Sequence, residues 1–332
     1  MAKFNLITVG SCGIDIFLNI HEANKNLSLD TSSSELTIKS GEKIMLDGYK
    51  FSLGHTGANI SVGASRLGLQ TTVFAEAGSD DFSERILNEL VAEKVDVSNI
   101  IRTPGDSNFS VIINFKKERT VFAEDMKRDH NFSFGNFSSD FLYLTSLSRN
   151  WINAYLQTMD FVSKKNIPFA FSPGPIQIKD KDKVIFEVIK KSKILFLNKD
   201  EASQLLSKNK SFAQNEKNFV KSMLLDFKNA GTSNVVITDA ENGSYCLDEK
   251  GKYYYLNGYA TNIIEKTGAG DAYAIGFLYA FMKNMEIPQS MVFGAINASS
   301  VMEKIGPQEG LLTSGILKEK AKQMENFKPI QI

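Results

Sequence analysis

Between residues 141 and 238 the chain repeats one pattern, a short apolar run followed by a longer stretch whose apolar residues recur at helical spacing. The runs are 141–145, 169–172, 194–197 and 235–238, and the amphipathic stretches are 151–165, 184–191 and 216–228. Strand-then-helix repetition narrows the fold sharply, because each helix serves as the crossover between parallel neighbours and must bury its own apolar stripe. The expected class is α/β, a mostly parallel sheet with helices on both faces. In such sheets ligands gather beyond the carboxyl ends of the strands.

The first half fits the same scheme with an insertion. Residues 6–9 read as a buried strand ending at Gly10, and 11–15 as the loop after it. Residues 23–43, rich in Asn, Ser, Lys and Thr, read as an excursion from the core. A helix over 58–68 leads into a strand at 71–78, and 82–94 is an amphipathic helix. Residues 109–115 and the following ERTVF suggest a hairpin. No internal repeat or compositional break divides the 332 residues, so one domain with an inserted β layer is expected. Lys+Arg and Asp+Glu are both 38, so no sequence-wide field draws the chain to nucleic acid or anionic lipid. The apolar stretch 272–282 is far shorter than the roughly 20 residues that a membrane helix needs. The start, MAKFNLITVG, reads as a strand and not a signal peptide, which suggests a cytoplasmic protein. Cys12 and Cys246, the only two cysteines, read as buried reduced thiols.

The chemistry concentrates at Thr267-Gly268-Ala269-Gly270-Asp271, which runs into the apolar stretch as a loop opening a helix. Three nearly side-chain-free residues at a helix N-terminus let backbone N–H groups approach an anion closely. Asp271 beside them can accept a proton from an attacking hydroxyl; on spacing alone it can equally be a first-turn acid that stabilises the helix dipole. Competing motifs fail. Tyr273 stands where a dinucleotide fingerprint needs glycine, and there is no GxxxxGK[ST] and no GxSxG. His21-Glu22 lacks the second histidine of HExxH, since the fifth residue is Lys25. A second glycine-rich stretch, Gly54-His55-Thr56-Gly57-Ala58-Asn59, also precedes a helix, and there Asn59 can serve a polyhydroxyl ligand or the packing. Asp15 can accept sugar hydroxyls or form a loop turn. Asn198 and Glu201 follow one strand and Thr238 to Gly243 another, where caps and turns are the ordinary reading.

Taken together, GHTGANISVGASRLG, NKDE, VVITDAENG and TGAGDAYAIGF, in this order along the chain, resemble the ribokinase or phosphofructokinase-B family of ATP-dependent sugar and nucleoside kinases. The resemblance implies a three-layer α/β/α core with a small β lid, for which 16–50 and 103–125 are the candidate segments. It implies Asp271 as the base toward a substrate hydroxymethyl group, with Gly268, Ala269 and Gly270 as the anion hole. Asn198 and Glu201 would organise Mg²⁺ through its waters, Thr238, Gly243 and Asn297 would line ATP, and Asp15, Gly54 and Asn59 would hold the substrate. Lid pairing in a homodimer is a further implication. Four departures stand out. Glu265-Lys266 replace the usual Asp-Thr, which puts K⁺ activation in question. His55 replaces a glycine beside the sugar pocket, Ala240 one in the nucleotide loop, and Ser83 one in the pattern starting at Gly78. A nucleoside substrate is the second reading, with Phe109, Phe115 and Phe122 as walls for a base or as ordinary packing; a silent sugar-binding homologue is the third.

Overall fold

The computed structural model describes residues 2–33, 35–116, 118–124, 126–208, 216–259 and 261–332. The strands are β1 (Ala2–Val9), β2 (Gly13–Asn19), β3 (Leu27–Asp30), β4 (Glu35–Ile38), β5 (Gly48–Gly54), β6 (Thr71–Ala77), β7 (Ile100–Arg102), β8 (Asn108–Phe115), β9 (Glu118–Ala123), β10 (Phe137–Thr145), β11 (Phe169–Ser172), β12 (Ile194–Asn198), β13 (Asn234–Thr238), β14 (Ser244–Leu247), β15 (Tyr253–Leu256) and β16 (Ile330–Gln331). The helices are α1 (Thr56–Arg66), α2 (Asp81–Ala92), α3 (Trp151–Lys165), α4 (Pro175–Asp180), α5 (Lys183–Lys191), α6 (Lys199–Leu205), α7 (Glu216–Ala230), α8 (Ala269–Met282), α9 (Ile287–Met302) and α10 (Ser314–Gln323).

Sheet order is β16-β15-β14-β13-β12-β11-β10-β1-β6-β7. From β13 to β7 every pairing is parallel, whereas β14, β15 and β16 extend the sheet antiparallel. Successive residues of the central strands enter opposite cores, as the period of two requires. Leu6, Phe141, Tyr143 and Val236 join the core with α1, α2, α8 and α9. Ile7, Leu142, Leu144, Val235 and Ile237 join the one with α3, α5 and α7. Each such side chain, fully buried, contributes on the order of 2 kcal/mol. The layering is α/β/α, as the repeated pattern anticipates.

The inserted layer is a four-stranded sheet ordered β5-β2-β8-β9, with β2 and β8 parallel and both outer pairings antiparallel. It starts at Gly13, so Asp15 lies on a strand and not in the loop expected over 11–15. Within the excursion, β3 and β4 form a separate hairpin. Ile20, Leu27 and Phe115 bury together and pin that hairpin to the lid. The antiparallel extension and α4 escape the sequence reading because elements of two to six residues carry too little periodicity. No helix among the described residues is long and apolar enough to cross a membrane.

Candidate active site

Gly268 adopts φ 80° and turns the chain into α8. The Ala269 N–H reaches back to the Lys266 carbonyl at 3.3 Å, and the Ala272 N–H bonds Gly268. Among the described residues the Gly270 and Asp271 N–H groups have no acceptor, and a side-chain carbon at 270 would meet nothing within 4 Å. An open helix start with free N–H groups fits a phosphoryl anion.

Asp271 is held from α1. The Asn59 side-chain amide donates to Asp271 Oδ2 at 2.8 Å, and its own Oδ1 accepts from Gln308 Nε2 at 3.0 Å. This places Asn59 beside Asp271, whereas the sequence reading has it holding substrate. Burial pushes the Asp271 carboxyl up to about 6, opposed by the Asn59 hydrogen bond and by the charge of Arg119. Asn59→Ala therefore raises that value further, and the acid limb of kcat/KM should move to higher pH with turnover at neutral pH down by about tenfold, as expected for losing a hydrogen bond to a charged group. A pH–rate profile checks this; an unshifted limb would show that Asn59 does not tune the Asp271 carboxyl.

Asp15 is 4% exposed, and burial together with the charge of Asp271 pushes its carboxyl up to about 7. Among the described residues no donor hydrogen-bonds to it; His55 Nε2 stands 3.9 Å away. Burial pushes His55 down to about 4, so it is neutral at physiological pH and offers a polar edge, also 3.4 Å from Ser110 Oγ. Gly54 lies directly against Asp15: a side-chain carbon there would stand 2.0 Å from Oδ2. Its place in the site is thus to make room for that carboxylate.

Asn198 and Thr238 are register partners at the carboxyl edge of β12 and β13. Asn198 Oδ1 accepts from the Glu201 N–H, and Glu201 Oε2 from the Asn198 N–H, both at 2.8 Å. This reciprocal cap is worth about 1 kcal/mol and fixes both side chains at the edge. Burial raises the Glu201 carboxyl to about 7, with Asp271 and Asp200 adding to the rise. No group of three or more potential metal ligands occurs among the described residues. Lys199, missed in the sequence, joins Asp239 and Glu216 and ties α6 to the loop after β13. In that loop Ala240 keeps φ 44°, the left-handed conformation that favours glycine, and Gly243 has φ 95° with its open side against the Leu256 carbonyl. Asn297 is fully buried, its amide donating to the Ala272 carbonyl and accepting from the Leu312 N–H, so its polar ends serve the packing of α8 against α9.

Sequence reasoning also misses Arg119, Gln308 and Glu124, which no local motif flags. Glu124, raised to about 7 mainly by burial, accepts from the Phe109 N–H at 3.1 Å. Glu265 is 5% exposed and accepts from both the N–H and the hydroxyl of Thr267, while Lys266 is exposed beside Glu118 at 3.5 Å.

Residues 21–314 match the pfkB family carbohydrate kinase. The chain belongs to the pfkB family. As a family member it is an ATP-dependent phosphotransferase acting on a carbohydrate. Among its relatives, 5-dehydro-2-deoxygluconokinase of Clostridium perfringens is 23% identical over 341 residues, covering 96% of this chain and 92% of that one. Ribokinase of Haemophilus influenzae is 24% identical, covering 83% and 89%. The solved nucleoside kinase of Methanocaldococcus jannaschii aligns at a TM-score of 0.74 and 21% identity over 97% of this chain and all of that one. Arabidopsis thaliana ribokinase, complexed with ribose and ATP, aligns at 0.74 and 17% identity over 97% and 99%. These pfkB-family likenesses establish the ribokinase-like fold.

Proposed function

We propose that this pfkB-family kinase transfers the terminal phosphoryl group of ATP to a primary hydroxyl of a polyhydroxylated sugar or sugar derivative. Asp271 takes the hydroxyl proton as the oxygen–phosphorus bond forms and the bond to the ADP oxygen breaks. The N–H groups at the start of α8 receive the charge on the phosphoryl oxygens. Bound Mg²⁺ would supply charge neutralisation on the phosphates, with Glu201 and Asn198 ordering its waters, and Thr238 and Gly243 would border the nucleotide. Asp15 and its neighbours on the lid would hold hydroxyls and keep water from the phosphoryl group.

The observation that carries the choice of acceptor is the set of polar groups around Asp15. Cross-strand partners share a face, which puts Asp15, Ser52, Ser110, Asn114 and Arg119 on one face, with Phe17, Ile112 and Val121 between the two polar rows. Phe109, Phe115 and Phe122 fall on the opposite face. There Phe109 lies 6.2 Å from Phe82, Phe115 sits in the hairpin cluster, and Phe122 is half exposed. Without those rings toward Asp15, support for a nucleoside base weakens and support for a hydroxyl-rich ligand grows. Exposed Tyr49, Val121 and Phe122 on the lid are consistent with lid pairing in a homodimer.

The test is ADP release from Mg-ATP across pentoses, hexoses, sugar acids including 5-dehydro-2-deoxygluconate, and nucleosides, each with and without K⁺. Turnover with a sugar or sugar acid is expected, and turnover with nucleosides alone would overturn this reading.

A further inference from the structure

We propose that the acceptor end of the site takes a sugar bearing a protonated amine, and that Glu124 is the residue that reads this charge. The proposal rests on the kinase reading above and narrows its acceptor. Glu124 directly follows β9, and its Oε2 accepts from the Phe109 N–H at 3.1 Å. Phe109 is the register partner of Ile14, and the next pair along the two strands is Asp15 with Ser110. Glu124 thus stands across β8 from the strand that carries Asp15, near enough for its charge to act on that carboxyl. With neighbouring strands about 4.8 Å apart, two spacings are roughly the width of a sugar ring with its substituents. One sugar can therefore meet Asp15 with its hydroxyls and Glu124 with a substituent on its far side.

Negative charge gathers there without a matching cation. Asp15 is 4% exposed and accepts no hydrogen bond among the described residues. Burial, and then the charges of Asp271, Glu265 and Glu124, push its carboxyl up to about 7 against the opposing charge of Arg119. Arg119 turns its Nη1 to Thr267 Oγ1 and Glu265 Oε1. Arg128, whose charge opposes the rise at Glu124, is buried with its donors on Asn108 Oδ1, Thr103 Oγ1 and the Asp106 carbonyl. His55, 3.9 Å from Asp15, is held neutral by burial. Four carboxylates thus face two guanidiniums, and among the described residues neither Asp15 nor Glu124 touches a charged counter-ion. A ligand carboxylate would add a like charge to this end, whereas an ammonium favours the ionised form of both residues and donates charge-assisted hydrogen bonds. A neutral sugar satisfies Asp15 and leaves the charge of Glu124 unmatched. The amine keeps its proton throughout: the primary hydroxyl oxygen bonds to phosphorus, the ADP oxygen leaves with the electron pair of the broken bond, and the hydroxyl proton passes to Asp271.

Titration calorimetry at neutral pH with Mg-ADP present measures acceptor binding without turnover. The probes keep a primary hydroxyl and differ in charge: glucosamine, glucose and gluconate, and 1-amino-1-deoxyfructose, fructose and 2-ketogluconate. In at least one series the amine is expected to bind about tenfold more tightly than the neutral sugar and about 100-fold more tightly than the acid. Glu124→Gln, whose amide oxygen still accepts from the Phe109 N–H, should cut the amine-over-acid ratio by about tenfold, and Glu124→Asp should restore part of it. The ratios of kcat/KM with Mg-ATP should follow the same order. An acid bound as tightly as the amine would overturn the proposal. So would a ratio unmoved in Glu124→Gln at unchanged thermal unfolding, which would leave Glu124 as a structural partner of β8. The wild-type comparison decides the charge preference even where a variant fails to fold. Selective binding of the amine without its phosphorylation would sink the kinase reading and leave the charge selection standing, whereas silence across both series would overturn both.

Discussion

Replacing Asp271 by asparagine will lower kcat by about two to four orders of magnitude, the usual range for loss of a general base. Folding should be preserved. The Asn59 amide that now donates to Oδ2 at 2.8 Å meets an amide oxygen of the same shape, and Gln308 continues to hold Asn59. The buried carboxylate also carries a cost that the amide lacks. Burial holds the Asp271 carboxyl at about 6, above its ordinary value, so at neutral pH the folded state keeps a charge that it disfavours. Thermal unfolding at neutral pH should therefore be unchanged or slightly higher. Turnover within tenfold of the wild type would sink the assignment of the base.

The second large effect is at Asp15, where affinity and stability should move in opposite directions. Asp15→Asn should raise the KM for the acceptor by about 100-fold, because hydrogen bonds from ligand hydroxyls to a buried charged acceptor are each worth about 1.5–3 kcal/mol. The same change should stabilise the unliganded protein. The folded carboxyl, at about 7 against an ordinary 3.8, prefers to be protonated, so it imposes no penalty below about pH 4. The penalty then grows as pH rises toward the folded value and levels off above it. The variant's advantage should thus be small near pH 4 and reach on the order of 4 kcal/mol by about pH 8. Urea unfolding at both pH values measures it. A variant equally stable relative to wild type at both would mean that Asp15 is not held in an unfavourable ionised state.

These two residues show how differently a site can be written into a chain. Asp271 is legible because everything that makes it distinctive lies within a few residues: small side chains before it, an apolar helix after it, and a helix N-terminus between. Asn198 and Glu201 are legible for the same reason, since a cap acts over three residues. Asp15 is visible only as an acidic residue near a strand. Its strand, its face on the lid and its raised carboxyl all come from contacts with β5, β8 and Gly54.

The sequence by itself determined the alternation of strands and helices, the parallel sheet and the position of the glycine-rich turn before α8, and the motifs it carries resemble those of the family. The first three arise from periodicity and backbone sterics, which act over one or two turns of chain. Tertiary structure alone decided which lid face meets the core, that Asn59 donates to Asp271, and that Arg119 reaches Thr267. Asn59 and Asp271 are 212 residues apart and Arg119 and Thr267 are 148 apart. Such pairings carry no local signature, because the forces that align them are hydrogen bonds and charges that exist only after the sheet, the lid and the two helical layers have closed around them.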